Sequence, residues 1–370
     1  MVVGYSRPTK ITISQHAVTH NVNEVREATG ARMIFLALKA NAYGYGLLEM
    51  GQAAERAGVD GIGVAILEEA LALREAGIAM PILIMGIVDP KYAQVMAEHN
   101  IMATVSDLAW LEQAQAVMDG RTRLLINVAV DTGMTRIGVR SQEALHELID
   151  YIKGAPDYFV YQAIMTHFAE SDSLNNDYFH YQLANWERLT AGIELPPMVH
   201  IANSGAAMYH ADEIPTDVVR VGTVVYGVEP SRGQVRPANY LEPVLGLESA
   251  LVYVKQMPAG VGVSYSHTYT THAGEWIGTV PIGYGDGLSR NLQDFGVIIN
   301  GKRARIVGQI AMDQLMVSLP EEVPVGTKVT FIGKNGGLEN TLEDFSDHAG
   351  LAPWVVTTSL QERIKRELVD

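Results

Sequence analysis

From about residue 30 to residue 227 the chain alternates two hydrophobic patterns. Short apolar runs begin near Met33 (MIFLAL), Gly61 (GIGVAI), Pro81 (PILIMG), Ile101 (IMATVS), Leu124 (LLINVAV), Tyr158 (YFVYQAIM), Met198 (MVHIA) and Val218 (VVRVG). Between them lie LEEALALREAG, SDLAWLEQAQAVM, SQEALHELIDYI and NDYFHYQLANWERLTAG. In the first of these, Leu67, Ala70, Leu71 and Leu73 fall on one side and Glu68, Glu69, Arg74 and Glu75 elsewhere, which is a helical period. Strand alternating with helix implies a parallel sheet. Eight such strands fit a (β/α)8 barrel. An open doubly wound sheet is the alternative, and the lack of G-x-G-x-x-G after the first strand weighs against it.

After Gly227 the texture changes. PSRGQVRPANYLEPV is a linker-like stretch of proline, glycine and polar residues. Beyond it, LESALVYVKQM, EWIGTVPIG, GVIINGKRARIVG, QLMVSL and KVTFIG read as strands. Turn pairs such as Asn300-Gly301 make them antiparallel hairpins. A final helix is expected from about Trp354 to Leu368. The expected fold class is therefore α/β: a TIM-like (β/α)8 barrel over residues 1–235, then a mainly antiparallel β domain over 236–370. The first 14 residues are candidates to pair with that second domain.

The length of 370 residues agrees with two domains. The formal net charge of −15 disfavours nucleic acid and anionic membrane surfaces as partners. There is no cysteine, so disulfides, thiolate nucleophiles and cysteine metal sites are excluded. No signal-peptide pattern opens the chain, and no apolar run reaches the ~18 residues of a membrane span. The expectation is a cytoplasmic protein.

One segment stands out chemically. In Leu36-Ala37-Leu38-Lys39-Ala40-Asn41-Ala42-Tyr43-Gly44-Tyr45-Gly46 an apolar strand ends on a lysine and enters a glycine-punctuated loop. In a barrel that puts Lys39 at the C-terminal end of the first strand, where active sites lie. Burial lowers an amine's pKa and readies it to form a Schiff base. The plain alternative is a lysine snorkelling from a strand end.

K-A-N-A-Y-G-x-G resembles the cofactor-lysine motif of the alanine racemases, a family of barrel-type pyridoxal-phosphate enzymes. Further matches follow in that family's order: Asp131-Thr132-Gly133-Met134-Thr135-Arg136, Thr166-His167-Phe168-Ala169, His200-Ile201-Ala202-Asn203-Ser204-Gly205, Arg220-Val221-Gly222-Thr223, Gly262-Val263-Ser264-Tyr265, Gly283-Tyr284-Gly285-Asp286-Gly287 and Met312-Asp313-Gln314. The resemblance implies that Lys39 carries pyridoxal 5'-phosphate and that Tyr265 is the second acid/base. It places Tyr43, Asn203, Ser204, Gly222, Thr223 and Trp354 on the phosphate side and His167 near the pyridine ring. Arg220 would face the ring nitrogen, where a guanidinium donates a hydrogen bond without giving up its proton. Arg136 and the Met312 N–H would take the substrate carboxylate.

Each of these residues has a plainer reading as well. Asn203-Ser204 can be an ordinary helix cap. His167 can be structural, Arg220 a salt-bridge partner and Tyr265 a strand aromatic.

The implied activity is interconversion of L- and D-alanine, supplying D-alanine for peptidoglycan, in a homodimer with shared active sites. A broader racemase acting on serine or larger amino acids, and a non-catalytic carrier of the same cofactor, are the alternatives. A metal-dependent aldolase on a related scaffold would need a His/Cys pair, and His348 alone is not a metal site.

Four positions depart from the family pattern. Ala129 stands where a carbamylated lysine is common, Trp354 where a tyrosine is usual, Gln309 where an arginine is common and Tyr45 where a histidine is usual. With no carbamate at 129, Asn127 or a bound anion is expected to orient Arg136, since strand alternation puts residues 127 and 129 on one face.

Overall fold

A computed structural model describes residues 2–237 and 240–370. It divides into two compact units, His16–Ala40 with Met50–Glu242, and Met1–Gln15 with Asn41–Glu49 and Pro243–Asp370.

The first unit is built on eight parallel strands. After β1 (Lys10–Ser14), which belongs to the other unit, they are β2 (Met33–Ala37), β3 (Gly61–Val64), β4 (Ile82–Ile84), β5 (Ile101–Val105), β6 (Leu124–Ala129), β7 (Phe159–Met165), β8 (Met198–His200) and β9 (Val218–Val221). Their order, β8-β7-β6-β5-β4-β3-β2-β9, follows the chain and returns β9 to β2. Between β8 and β9 the Arg220 N–H donates to the Ala202 carbonyl at 2.9 Å, so the barrel is nearly closed. The apolar runs are almost wholly buried, as strands covered by helices must be. Asp107 and Ser141 cap the helices Leu108–Val117 and Gln142–Gly154, accepting from Trp110 N and Ala144 N.

One inward layer of this barrel is apolar: Phe35, Leu83, Met102, Ala163, Met198 and Val218, with Met33, Met85 and Leu125 against it. It is a packed plug rather than a pore.

The second unit is a ten-stranded sheet. Its strands β10 (Leu245–Ala250), β11 (Tyr253–Met257), β14 (Glu275–Val280), β15 (Gly296–Ile299), β16 (Lys302–Val307), β17 (Leu315–Leu319), β18 (Lys328–Asn335), β19 (Leu338–Asn340) and β20 (Lys365–Val369) join β1 in the order β11-β14-β17-β16-β15-β18-β10-β1-β20, with β19 on β18. Short β12 (Gly262–Val263) and β13 (Tyr269–Thr270) pair separately. Every pairing is antiparallel except β1 with β20. Asn300 and Gly301 turn the β15–β16 hairpin with φ of 48° and 73°, the left-handed pair such a two-residue turn requires.

The expected last helix is shorter than its pattern suggests. It spans Pro353–Ser359, and Lys365–Val369 is a strand. The Thr358 and Ser359 hydroxyls bond back to the Trp354 and Val355 carbonyls, a local bonding that slightly destabilises a helix. The final residues then cover the β1 edge, with Lys10 bonded to Glu367 at 2.8 Å. Tertiary pairing overrides a local helical pattern here.

Candidate active site

Period-two alternation builds the barrel site in levels. Two residues beyond the apolar layer come Thr104, Asn127, His200 and Arg220; two further come Lys39, Ala129 and His167. In register, Thr104 lies opposite Asn127, Met165 opposite His200 and Phe35 opposite Arg220. The His200 ring stacks on Phe35 at 6.3 Å.

Arg220 is only 6% exposed, and its guanidinium is held by neutral acceptors. Nη1 donates to His200 Nδ1 at 2.8 Å and to the His200 carbonyl at 2.9 Å. Nη2 donates to the Thr166 carbonyl at 3.2 Å and to His167 Nδ1 at 2.9 Å. A guanidinium only donates, so both histidines accept at Nδ1 and carry their proton on Nε2. Burial, and then the Arg220 charge, hold both imidazoles well below the usual histidine range, with Arg136 and Lys39 adding to the effect on His167.

The Lys39 amine is held below the ordinary lysine value, first by burial, then by Arg136 and then Arg220, with Glu69 opposing. Directly after it the backbone turns left-handed for four residues, Ala40, Asn41, Ala42 and Tyr43, with φ of 52–54°. That conformation costs about 1–2 kcal/mol per non-glycine residue and persists only when its surroundings fix it. On the far side Asn41 Oδ1 accepts from Leu47 N, and Arg366 grips the Gly44 carbonyl with two nitrogens. A Cβ on Gly44 would lie 1.9 Å from the Thr357 carbonyl. Nothing in the letters KANAY signals this turn.

Asp131 shapes the loop that carries Arg136, its Oδ1 accepting from Gly133 N and Thr135 N. Gln182, fully buried, ties this loop to the one after β7 by bonding Thr132, the His167 carbonyl and Ala169 N. Sequence reading missed Gln182, whose helical segment offered only a core pattern. Arg136 itself is exposed, and no hydrogen bond or ion pair holds its guanidinium among the described residues. Asn127 does not orient it. The Asn127 amide is fully buried and already bonded to Thr104 and His200.

Asn203 caps the helix Ser204–Tyr209, its Oδ1 accepting from Ala206 N and from the Ser171 hydroxyl. The Ser204 hydroxyl accepts from Gly222 N at 2.9 Å, and Thr223 is half-buried beside it in sequence. The barrel unit thus brings together Lys39, His167 and Arg220, and separately links Ser204 to Gly222.

Tyr43, Tyr265, Met312 and Trp354 belong to the other unit. Tyr265 is 67% exposed on a turn in which Ser264, Ser266 and His267 all have φ between 48° and 60°. The Ser264 hydroxyl anchors that turn to the Gln309 carbonyl, and the Gln309 amide oxygen accepts from Arg290. Met312 is 53% exposed, and no acceptor among the described residues takes its N–H. Its loop is braced by Gly285 N donating to the Met312 carbonyl at 2.8 Å. Asp286, fully buried, supports the same region through Arg7 and Arg363. Trp354 opens the first turn of its helix and is half-exposed.

The barrel set fits pyridoxal phosphate on its donor chemistry. It offers an amine biased toward its neutral form for the aldehyde and a guanidinium that cannot deprotonate for a ring nitrogen. Among the described residues no cluster of His, Cys, Asp and Glu could hold a metal ion, and no helix is long and apolar enough to cross a membrane.

Comparison with known proteins agrees. Residues 13–230 match the family profile described as alanine racemase, N-terminal domain, and residues 244–368 match alanine racemase, C-terminal domain. A lysine racemase from Oenococcus oeni is 48% identical over the full length of both chains. The crystal structure of an alanine racemase from the same species superposes with a TM-score of 0.95 at 46% identity, covering 100% of each chain. A histidine racemase from Leuconostoc mesenteroides gives a TM-score of 0.95 at 34% identity, again over 100% of each chain.

Proposed function

Because this chain belongs to the alanine racemase family, we propose that it is a pyridoxal-phosphate-dependent racemase that interconverts L- and D-alanine and supplies D-alanine for peptidoglycan in the cytoplasm. The observation that carries the reading is the Lys39 amine, biased toward its neutral form, in the same barrel mouth as an Arg220 held by neutral acceptors. When bound, the cofactor supplies an electron-accepting ring that stabilises charge developing at the substrate α-carbon.

Lys39 holds the cofactor and, once released as a neutral amine, moves the α-proton on one face. A second group must serve the other face, since one base cannot reach both sides of a flat system. Tyr265 of a second copy takes that role in a homodimer. Arg136 and the Met312 N–H orient the carboxylate, the latter because its donor has no acceptor among the described residues. Tyr43, Asn203, Ser204, Gly222, Thr223 and Trp354 hold the phosphate side, with backbone N–H groups and the start of the Ser204–Tyr209 helix favouring an anion.

The test is direct. Purified protein with pyridoxal phosphate and L-alanine in deuterium oxide should give D-alanine and deuterium at Cα. Neither product would sink the reading.

A second reading extends the substrate range to basic amino acids. It is favoured by the lysine and histidine racemase relatives, by a neutral Gln309 bonded to Arg290, and by a net charge of −15 that draws cations. Chiral chromatography of alanine, serine, lysine and histidine reactions side by side decides between the readings.

A further inference from the structure

A directional chain of hydrogen bonds crosses the barrel interior beneath Lys39. It runs from Arg220 Nη1 to His200 Nδ1 at 2.8 Å, from His200 Nε2 to Asn127 Oδ1 at 3.0 Å, from Asn127 Nδ2 to Thr104 Oγ1 at 2.9 Å, and from Thr104 Oγ1 to the Ile84 carbonyl at 2.6 Å. Its two ends are chemically fixed. Arg220 can only donate, and the Ile84 carbonyl can only accept.

From the Arg220 end, His200 must accept at Nδ1 and therefore donates from Nε2, so Asn127 must present its oxygen. From the Ile84 end, the Thr104 proton must lie toward the carbonyl, so Thr104 accepts and Asn127 must present its NH2 there. Both ends give the same amide orientation and the same imidazole tautomer. Reversing the tautomer would set two N–H groups face to face at 2.8 Å. His200 and Asn127 are almost wholly buried, so no water relieves such a clash.

We propose that Asn127, backed by Thr104, is a positioning residue that locks His200 in its Nε2–H tautomer and thereby fixes the Arg220 guanidinium. The tautomer claim stands on these bonds alone; its catalytic consequence rests on the racemase reading. An amide suits the place because it offers one acceptor and one donor and does not titrate. A carboxylate of the same shape offers only acceptors. It would turn the Thr104 hydroxyl away from Ile84 and favour a proton on His200, placing an N–H opposite Arg220.

The tautomer is read by 15N NMR of histidine-labelled apoprotein, with His200 assigned through a His200→Gln variant. The wild-type ring should show an unprotonated Nδ1 and a protonated Nε2, unchanged from about pH 5.5 to about pH 7.5, one unit either side of the ordinary histidine pKa. Asn127→Asp should move Nδ1 to the protonated range at the acid end. Asn127→Leu should give mixed tautomers, and Thr104→Val a smaller mixture. In holoenzyme, Asn127→Asp should lower kcat ~10-fold or more with KM changed less than ~2-fold. A matching thermal transition separates this from misfolding. A wild-type Nδ1–H tautomer, or variants that fold yet leave the His200 signals unchanged, would overturn the proposal. If no variant or wild type racemises any amino acid, the NMR result still decides the tautomer claim while the functional reading fails.

Discussion

The two units offer their candidate residues in opposite ways. In the barrel, Arg220, His200 and Asn127 sit on strands, are almost fully buried, and are linked by bonds whose direction each terminal group dictates. In the sheet unit, Tyr265 and Met312 are largely exposed on loops. Those loops are held by their bases, the one by Ser264 on Gln309 and the other by Gly285 on Met312. The barrel prearranges fixed dipoles around the Arg220 guanidinium. The loops leave a phenol and an N–H exposed at the surface of their own unit. The backbone has positive φ on both sides of Tyr265, at Ser264 and Ser266, and such strain persists only where its surroundings fix it.

The sharpest way to break this contrast is to delete one residue from each side. Lys39→Ala should abolish covalent cofactor attachment, read by borohydride reduction and peptide mapping, and lower racemisation by more than ~1,000-fold. Tyr265→Phe should retain cofactor and lose at least ~100-fold. Mixing Lys39→Ala with Tyr265→Ala under subunit exchange should restore part of the activity if the two residues act from different copies. Near-normal turnover of Tyr265→Phe would reduce the exposed turn to a structural feature.

The loop side depends on a buried brace. Asp286→Asn leaves Arg7 without its carboxylate and Arg363 with Asp313 alone. Loss of one partner from a buried charge cluster costs about 3–5 kcal/mol, so a fall of that order in urea-unfolding free energy is expected. A change under about 1 kcal/mol would show that solvent screens the partly exposed arginines.

The strands of the barrel were legible because apolar runs of strand length recur at barrel spacing; Lys39 was legible because it ends such a run, and Arg220, inside the run VVRVG, through the family resemblance. Alternation also puts Asn127 on the inner face, but it could not say which neighbour its amide meets; the answer lies across two other strands, with Thr104 and His200. The Asn300-Gly301 hairpin was legible because its turn chemistry is local. The left-handed run Ala40–Tyr43 and the strand Lys365–Val369 were not, since contacts distant in sequence impose both.

The neutral histidines set an acid limit on the barrel side. His167 and His200 have folded-state pKa values well below the unfolded value of about 6.5. Above about pH 6.5 neither state binds a proton there, and stability is intact. As pH falls below that point the unfolded chain takes up protons the folded one refuses, so stability drops and goes on dropping toward the folded pKa values. The slope from these two groups approaches about 2.7 kcal/mol per pH unit, twice the single-proton value. Unfolding of the apoprotein at pH 5.5 and 7.5 checks it, and His200→Gln should flatten the difference by about half.

The smallest effect expected concerns Arg136. Its charge is the largest electrostatic cause, after burial, of the lowered Lys39 pKa, and it has no bonded partner among the described residues. Ala129 is 1% exposed and carries no amine, so no carbamate forms beside it, and removing bicarbonate should leave activity unchanged. Arg136→Met removes a positive charge, which raises the Lys39 pKa. At a fixed pH below that value the neutral fraction of Lys39 then falls. Its labelling by a small aldehyde with borohydride in the apoprotein should follow a curve moved to higher pH, while burial keeps Lys39 below ordinary lysines. The move should be modest, because Arg136 is exposed and water screens its field. An unmoved curve would mean that burial alone prepares the amine, and that Arg136 acts only on the substrate.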